Sequence, residues 1–331
     1  MNLNPSPEQR QFATAIGDLL GASDLAAVIR DWAAGNHAEG LAVWRKLADL
    51  GVTALAIEPR WGGLPAHPVD LVIACEELGY HALPGPVAES MAAVPTLLSL
   101  LGVTERLPDL ASGAVIATLG APPELPYAAD AHLAGLVLLV DGDEVRYGVP
   151  ESEWPSVDET RRVFALRAGP VLAAGPAVAG ARARSLDAGA LACAAQLLGA
   201  GRALLDKSVR YAGQRTQFGA PIGQFQAVKH RLADVAIGLE FARPLLYAAA
   251  IALADDAPTA GRDTSAAKIA CADAAQRAAR AALQVHGAIG YAVEGGVAPL
   301  LTKVRALLPA WGTPSAHRAR VMAALTDGAV S

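Results

Sequence analysis

Cysteine is scarce in this chain: Cys75, Cys193 and Cys271 are the only three among 331 residues. Their wide separation gives no disulfide framework and no metal-ligand spacing, and it suits a reducing cytoplasm. Charged residues make up 18% and aromatics 5%, so the cores must be built largely from Leu, Val and Ala. No stripe of Lys and Arg runs through a chain of net charge -5, which argues against nucleic acid as a partner. The segment Met1–Gln9 has no basic stretch followed by an apolar one, so no secretory signal is expected. No window of about 18 residues is apolar without a charge or a Pro/Gly interruption, so no membrane-spanning helix is expected either.

What is present is apolar and rich in alanine. Hydrophobic residues reach 53%, which excludes a disordered chain and points to large buried surfaces, subunit interfaces among them. The length allows two or three domains. Ser6-Pro7-Glu8-Gln9 starts a helix, with Ser6 as cap, Pro7 at the first position and Gln9 completing a capping box. Further helices are expected over 39–50, from Pro68 to Gly79, and over 86–101. Between 111 and 180 the pattern changes. Val115–Leu119 reads as a strand, Leu136–Val140 and Val145–Val149 as a hairpin about Asp141-Gly142, and Val163–Leu166 as another strand. From about 185 the chain is helical again, with helices over 186–212, across Phe225–Leu246, over 264–285 and over 315–326. Pro244 should kink the second of these. The expected fold class is α+β: a helical domain over 1–110, a reduced β domain over 111–180, and an antiparallel four-helix bundle over 181–331.

One turn in the bundle has chemical interest. Between helices ending near Gly213 and starting near Gln224 lies Arg215-Thr216-Gln217-Phe218-Gly219-Ala220-Pro221-Ile222. An arginine there can hold a phosphate by paired, charge-assisted bonds, and the next helix start adds backbone donors. The same residues also fit an ordinary helix-helix turn with a solvated arginine.

The stretch from Arg215 to Asp234 resembles the R-x-x-F-G-x-P-I-x-x-F-Q signature, followed by L-A-D, of the acyl-CoA dehydrogenase family. A second block, Gln284-Val-His286-Gly287-Ala288-Ile-Gly290-Tyr291-Ala-Val-Glu294, is similar to that family's Q-x-x-G-G-x-G-Y-x-x-E segment, with Ala288 in place of a glycine. Trp44–Gly51, Gly62-Gly63 and Glu76-Glu77-Leu78-Gly79 match more loosely. The resemblance implies FAD as cofactor, with Arg215, Gln217, Phe218, Gln284, Gly287 and Thr313 as contacts to a flavin held mainly by an adjacent subunit. His286 reads as a packing residue. Glu76 and Glu77, adjacent on a helix, point about 100° apart and suit ion pairing rather than a carboxylate dyad.

The family's reaction needs a carboxylate to take the proton from Cα of the acyl thioester. Of the two positions that supply it in different members, one aligns with Trp311, in Ala310-Trp311-Gly312-Thr313, and the other with Gly189. Neither can accept a proton. Asp187 lies close to Gly189 but suits helix N-capping. The family's Trp-x-x-Thr cradle and Glu-Pro-Gly segment are missing from 111–180. The resemblance therefore implies a shortened subunit that completes the flavin site of a full-length homologue, like the α2β2 enzymes of actinobacterial sterol degradation. Those enzymes oxidise acyl-CoA substrates with steroid side chains, and the family passes electrons to an electron-transfer flavoprotein. Two alternatives stay open at this level: an autonomous enzyme using Asp187 or Glu294 as base, and a non-catalytic oligomerisation scaffold.

Overall fold

The computed structural model describes residues 3–291 and 296–327; Glu294 lies outside them. The N-terminal region is helical: α1 (Pro7–Gly21), α2 (Leu25–Ala33), α3 (Ala38–Asp49), α4 (Pro68–Tyr80), α5 (Val94–Leu100) and α6 (Leu107–Ala111). Ser6 and Gln9 form the expected capping box on α1, and Asp24 caps α2 through the Ala27 N–H. α5 is preceded by one π turn, Glu89–Ala93. Pro95 lies in the first turn of α5 and lacks an N–H, so the ordinary ladder cannot run through it.

The middle region is one five-stranded sheet in the order β1-β3-β4-β5-β2. Its strands are β1 (Ala117–Gly120), β2 (Ala128–Ala129), β3 (Leu136–Asp141), β4 (Glu144–Trp154) and β5 (Val163–Ala174). β1 and β3 are parallel, and β3 and β4 form the expected hairpin. Its two-residue turn is Gly142-Asp143, with Gly142 at φ 61°.

The C-terminal region is again helical: α7 (Ala177–Gln214), α8 (Gln226–Ala254), α9 (Ala260–His286), α10 (Ala298–Leu307) and α11 (Pro314–Asp327). The small hairpin β6 (Thr216–Gln217) and β7 (Ala220–Pro221) joins α7 to α8. α8 runs through Pro244 as one helix. Two corrections to the sequence reading concern α7. It begins at Ala177 rather than 186, so Asp187 stands ten residues inside it and caps nothing. α7 and α8 are also long and apolar enough to cross a membrane by length and composition, contrary to the expectation from sequence. In α7, 89% of the most apolar 18-residue window is buried inside the protein, against 39% in α8. α7 is the central helix of the fold, which is where its apolar surface goes.

The crossing of α4 on α7 is set by two glycines. A Cβ on Gly79 would stand 2.2 Å from the Gln196 carbonyl oxygen, and one on Gly199 1.8 Å from that of Glu76. Only backbone without side chains fits there. One turn beyond the crossing, the buried Glu76 carboxylate accepts from Arg202 of α7 at 2.8 Å and Arg243 of α8 at 3.2 Å. Arg202 also reaches Glu77 at 3.0 Å. The ion-pair role expected for Glu76 and Glu77 is what the structure shows.

Candidate functional site

Five of the residues singled out in the sequence collect at one end of the bundle. α7 ends with the Arg215 N–H donating to the Tyr211 carbonyl. The chain then turns back through β6 and β7, whose register pairs Thr216 with Pro221 and Gln217 with Ala220. That leaves Phe218 and Gly219 as a two-residue turn with φ of 52° and 79°. Both central φ angles are positive, as a tight hairpin of this twist demands. For Gly219 this is free, whereas a phenylalanine there costs roughly 1–2 kcal/mol. Phe218 is also 95% exposed, and its ring meets that of Phe225 edge-on, at 6.2 Å between ring centroids. An aromatic so exposed at a hairpin tip buries little apolar surface within its own chain.

A small core holds this end together: Ala212, Leu232 and Val285, flanked by Leu205, Tyr211, Ile222 and Val228. It joins the end of α7, the start of α8 and the end of α9. Tyr211 stacks on His286 at 4.5 Å. His286 is buried, and its Nδ1 lies 2.8 Å from the Ala282 carbonyl oxygen, so it packs and bonds locally, as expected. On the outer side of the same turn Gln284 and Gly287 are exposed. Gly287 has φ 62° and open space where a Cβ would stand. Arg215, Gln217 and Phe218 are likewise exposed, so donors and apolar surface face outward together.

Gly189 and Trp311, the two positions that the sequence resemblance aligns with the family's carboxylates, lie elsewhere, and they meet each other. A Cβ on Gly189 would come within 2.2–2.5 Å of Cζ3, Cε3 and Cη2 of Trp311. The indole therefore fills the space that a side chain at 189 would occupy. Trp311 is 5% exposed and has φ 60°, a left-handed conformation that an aromatic adopts only when its surroundings enforce it. Those surroundings are visible. His317 Nε2 lies 2.9 Å from the Trp311 carbonyl oxygen, and its Nδ1 lies 3.1 Å from Ser265 Oγ. Burial holds the His317 imidazole below its usual pKa, so the neutral ring that donates from Nε2 and accepts at Nδ1 fits both contacts. Lys268, fully buried, donates to the carbonyls of Leu307 at 3.2 Å and Leu308 at 3.1 Å, fixing the end of α10 just before Trp311. Sequence reasoning passed over Lys268, although a lysine on the apolar face of an alanine-rich helix was a visible signal.

Asp187, the nearest carboxylate, is held by both terminal nitrogens of Arg320, with Nη2 3.0 Å from Oδ2. That contact in turn keeps the Arg320 guanidinium above its usual pKa. Thr313 caps α11 by accepting the Ala316 N–H at 3.2 Å. It lies two residues from Trp311, away from Arg215 and Gln284. α7 is unbroken from Gly189 to Gln214, and 25 residues of helix span roughly 38 Å. The outward-facing loop thus cannot serve the Gly189–Trp311 position of its own chain.

Comparison with known proteins identifies the family. Residues 6–113 match the model of the acyl-CoA dehydrogenase N-terminal domain, and residues 180–326 that of the C-terminal domain. The acyl-CoA dehydrogenase IpdE2 of Mycobacterium tuberculosis is 29% identical over 293 residues, 87% of each chain. Its namesake in Mycolicibacterium smegmatis is 32% identical over 258 residues, 75% of this chain and 76% of that one. Among solved structures, the ChsE4-ChsE5 complex of M. tuberculosis superposes with a TM-score of 0.81 at 22% identity, covering 98% of this chain and 99% of that one. The Tcur3481-Tcur3483 steroid ACAD variant gives 0.82, also at 22%, covering 98% and 99%. With helical domains at both ends of a small mixed sheet and both family models matched, the chain belongs to the acyl-CoA dehydrogenase family, FAD-dependent oxidoreductases acting on the CH–CH bond of acyl-CoA thioesters.

Proposed function

We propose that this chain is the non-catalytic subunit of a heteromeric acyl-CoA dehydrogenase, completing the flavin site of a full-length homologue and bringing no base of its own. The observation that carries the reading is the contact between Trp311 and Gly189. The Cα proton of a thioester needs a carboxylate within hydrogen-bond reach. Here the two positions that would supply one are an indole and a glycine closed against each other, and Asp187 is engaged by Arg320.

The residues at the other end of α7 fit FAD as donors offered across an interface. Arg215 suits a diphosphate, Gln217 and Gln284 provide amides, and the open backbone at Gly287 permits close approach. When bound, FAD supplies the acceptor for the hydride from Cβ. The role of this chain is to bind and orient it, and the exposed Phe218 would offer it apolar surface. Thr313, as the cap of α11, falls outside this set. The complex then has the carboxylate and the rest of the flavin site on the full-length partner, with an electron-transfer flavoprotein as electron acceptor.

For substrate we propose a CoA thioester of a bulky, steroid-derived acid. The reading draws on the relatives named IpdE2 and on the heteromeric and steroid-related fold neighbours. A cytoplasmic location fits the three free, buried cysteines. No membrane span is proposed: α7 is buried in the fold, and the apolar face of α8 suits a protein partner.

The test is flavin retention in the complex reconstituted with the full-length homologue. Arg215→Ala should weaken it by a charge-assisted hydrogen bond, roughly 1.5–3 kcal/mol, with assembly intact. Unchanged flavin content would favour a scaffold without a flavin role.

A further inference from the structure

α8 is the apolar helix that its own chain leaves uncovered. Ile237, Phe241 and Leu245 are 53%, 76% and 47% exposed. They recur every four residues, so they form one outward stripe. Toward the start of α8 the same face runs into a surface cavity of about 440 Å³ between α8 and α9. Its walls carry Arg231, Arg277, Arg280 and His230, against a single carboxylate, Asp234.

Arg277 and Arg280 stand about 60° apart around α9, on the face that also carries Gln284. Gly238 makes room for Arg277 to lie across α8, since a Cβ there would stand 2.9 Å from Arg277 Nη2. Among the described residues, Arg231, Arg277 and Arg280 form no ion pair and no side-chain hydrogen bond. Elsewhere, Arg146, Arg161, Arg202, Arg243 and Arg320 each have a carboxylate partner, whereas the exposed Arg30, Arg45 and Arg305 are, among the described residues, unpaired too. Three guanidiniums with one carboxylate among them, none of them in an ion pair, are thus gathered in one cavity beside an exposed aromatic. Arginine with aromatic surface is the composition of an interface centre.

We infer that this face docks the full-length partner subunit through an acidic patch, and that the arginine cavity makes the assembly heteromeric. The inference rests on the reading proposed above and names the chemistry of the partner surface. A twofold contact between two copies of this chain centred here would bring two arginine clusters to one junction with only Asp234 on each side. Like charges so juxtaposed oppose self-association, whereas an acidic surface on a different chain satisfies them. The stripe through Phe241 supplies adhesion, and the cavity selects the partner.

The experiment is co-purification of the complex with the full-length homologue, comparing wild type with Arg277→Glu/Arg280→Glu and with the milder Arg277→Gln/Arg280→Gln. Far-UV circular dichroism and thermal melting of each variant alone report folding. The expected result is that the Glu pair weakens assembly at least tenfold and the Gln pair by less. The wild-type affinity should fall steeply with salt, and that of the Gln pair less so. Assembly unchanged in both variants overturns the inference while leaving the proposed function standing. Intact assembly with flavin lost also overturns it, and assigns the cavity to a phosphate instead. If the wild-type chains form no complex at all, both readings fall.

Discussion

Gly189 and Trp311 share one volume, and each constrains what the other can become. Gly189→Ala drives a methyl into the indole and should cost about 1–3 kcal/mol. Trp311→Ala empties the site and should cost about 3–5 kcal/mol. In the Trp311→Ala background the sign reverses: Gly189→Ala then stabilises by about 1 kcal/mol through helix propensity. Denaturant unfolding of the four proteins checks this, and additive costs would contradict the contact.

Asp130 makes a separate prediction at the same scale. Its side chain is fully buried, with Oδ1 accepting the Arg162 N–H at 3.0 Å and Oδ2 without a hydrogen-bond partner. Burial pushes its carboxyl up to about 7, with Arg161 pulling in the opposite direction. The folded state therefore holds a proton that the unfolded chain releases near pH 4. This contribution to stability is complete below about pH 4 and is lost as pH rises through about 7. Asp130→Asn should flatten that decline and stabilise the protein at pH 8. Its φ of 50° suits asparagine. Unfolding free energy measured from pH 4 to 8 is the check, and an unchanged slope would contradict it.

Among the elements, α4 against α7 shows how local signals become architecture. Gly79 ends a Glu-Glu-Leu-Gly run that the sequence offered only as a loose likeness, and the structure makes it the point where two helix backbones touch. Glu76 beyond it ties α4, α7 and α8 through Arg202 and Arg243. Glu76→Ala should cost about 3 kcal/mol, because it leaves partly buried guanidiniums short of a counter-charge. Glu77→Ala, whose carboxyl burial already pushes upward in pKa, should cost less. Thermal melting distinguishes the two, and equal losses would contradict the network.

Helices with caps or strong periodicity were legible: α1 from its capping box, α3 and α4 from their apolar spacing, and the β3–β4 hairpin from its turn. α2 and α10 were not, being nine and ten residues long, with too few turns for a period to stand out. β5 runs to Ala174, past Gly169 and Pro170, which read as breakers. Register shifts in its pairing with β4 absorb them. The Arg215 loop was legible as a motif. The filling of Gly189 by Trp311 was not, because it joins residues that are far apart in sequence and meet only in the fold.

At the scale of the whole molecule, the Arg215 loop and the Gly189–Trp311 contact lie about 38 Å apart along one helix. The loop faces outward with its donors exposed, and the Gly189 position is packed shut by the indole. On the function proposed above, a chain so divided works with a partner, for which the uncovered face of α8 is the proposed docking surface.

The measurement that bears most directly on this account is flavin absorbance and acyl-CoA oxidation, recorded for the chain purified alone and with its full-length homologue. The account predicts a colourless, inactive protein alone, and a yellow, active complex whose flavin content falls with Arg215→Ala. A chain that alone purifies yellow and oxidises acyl-CoA would contradict it.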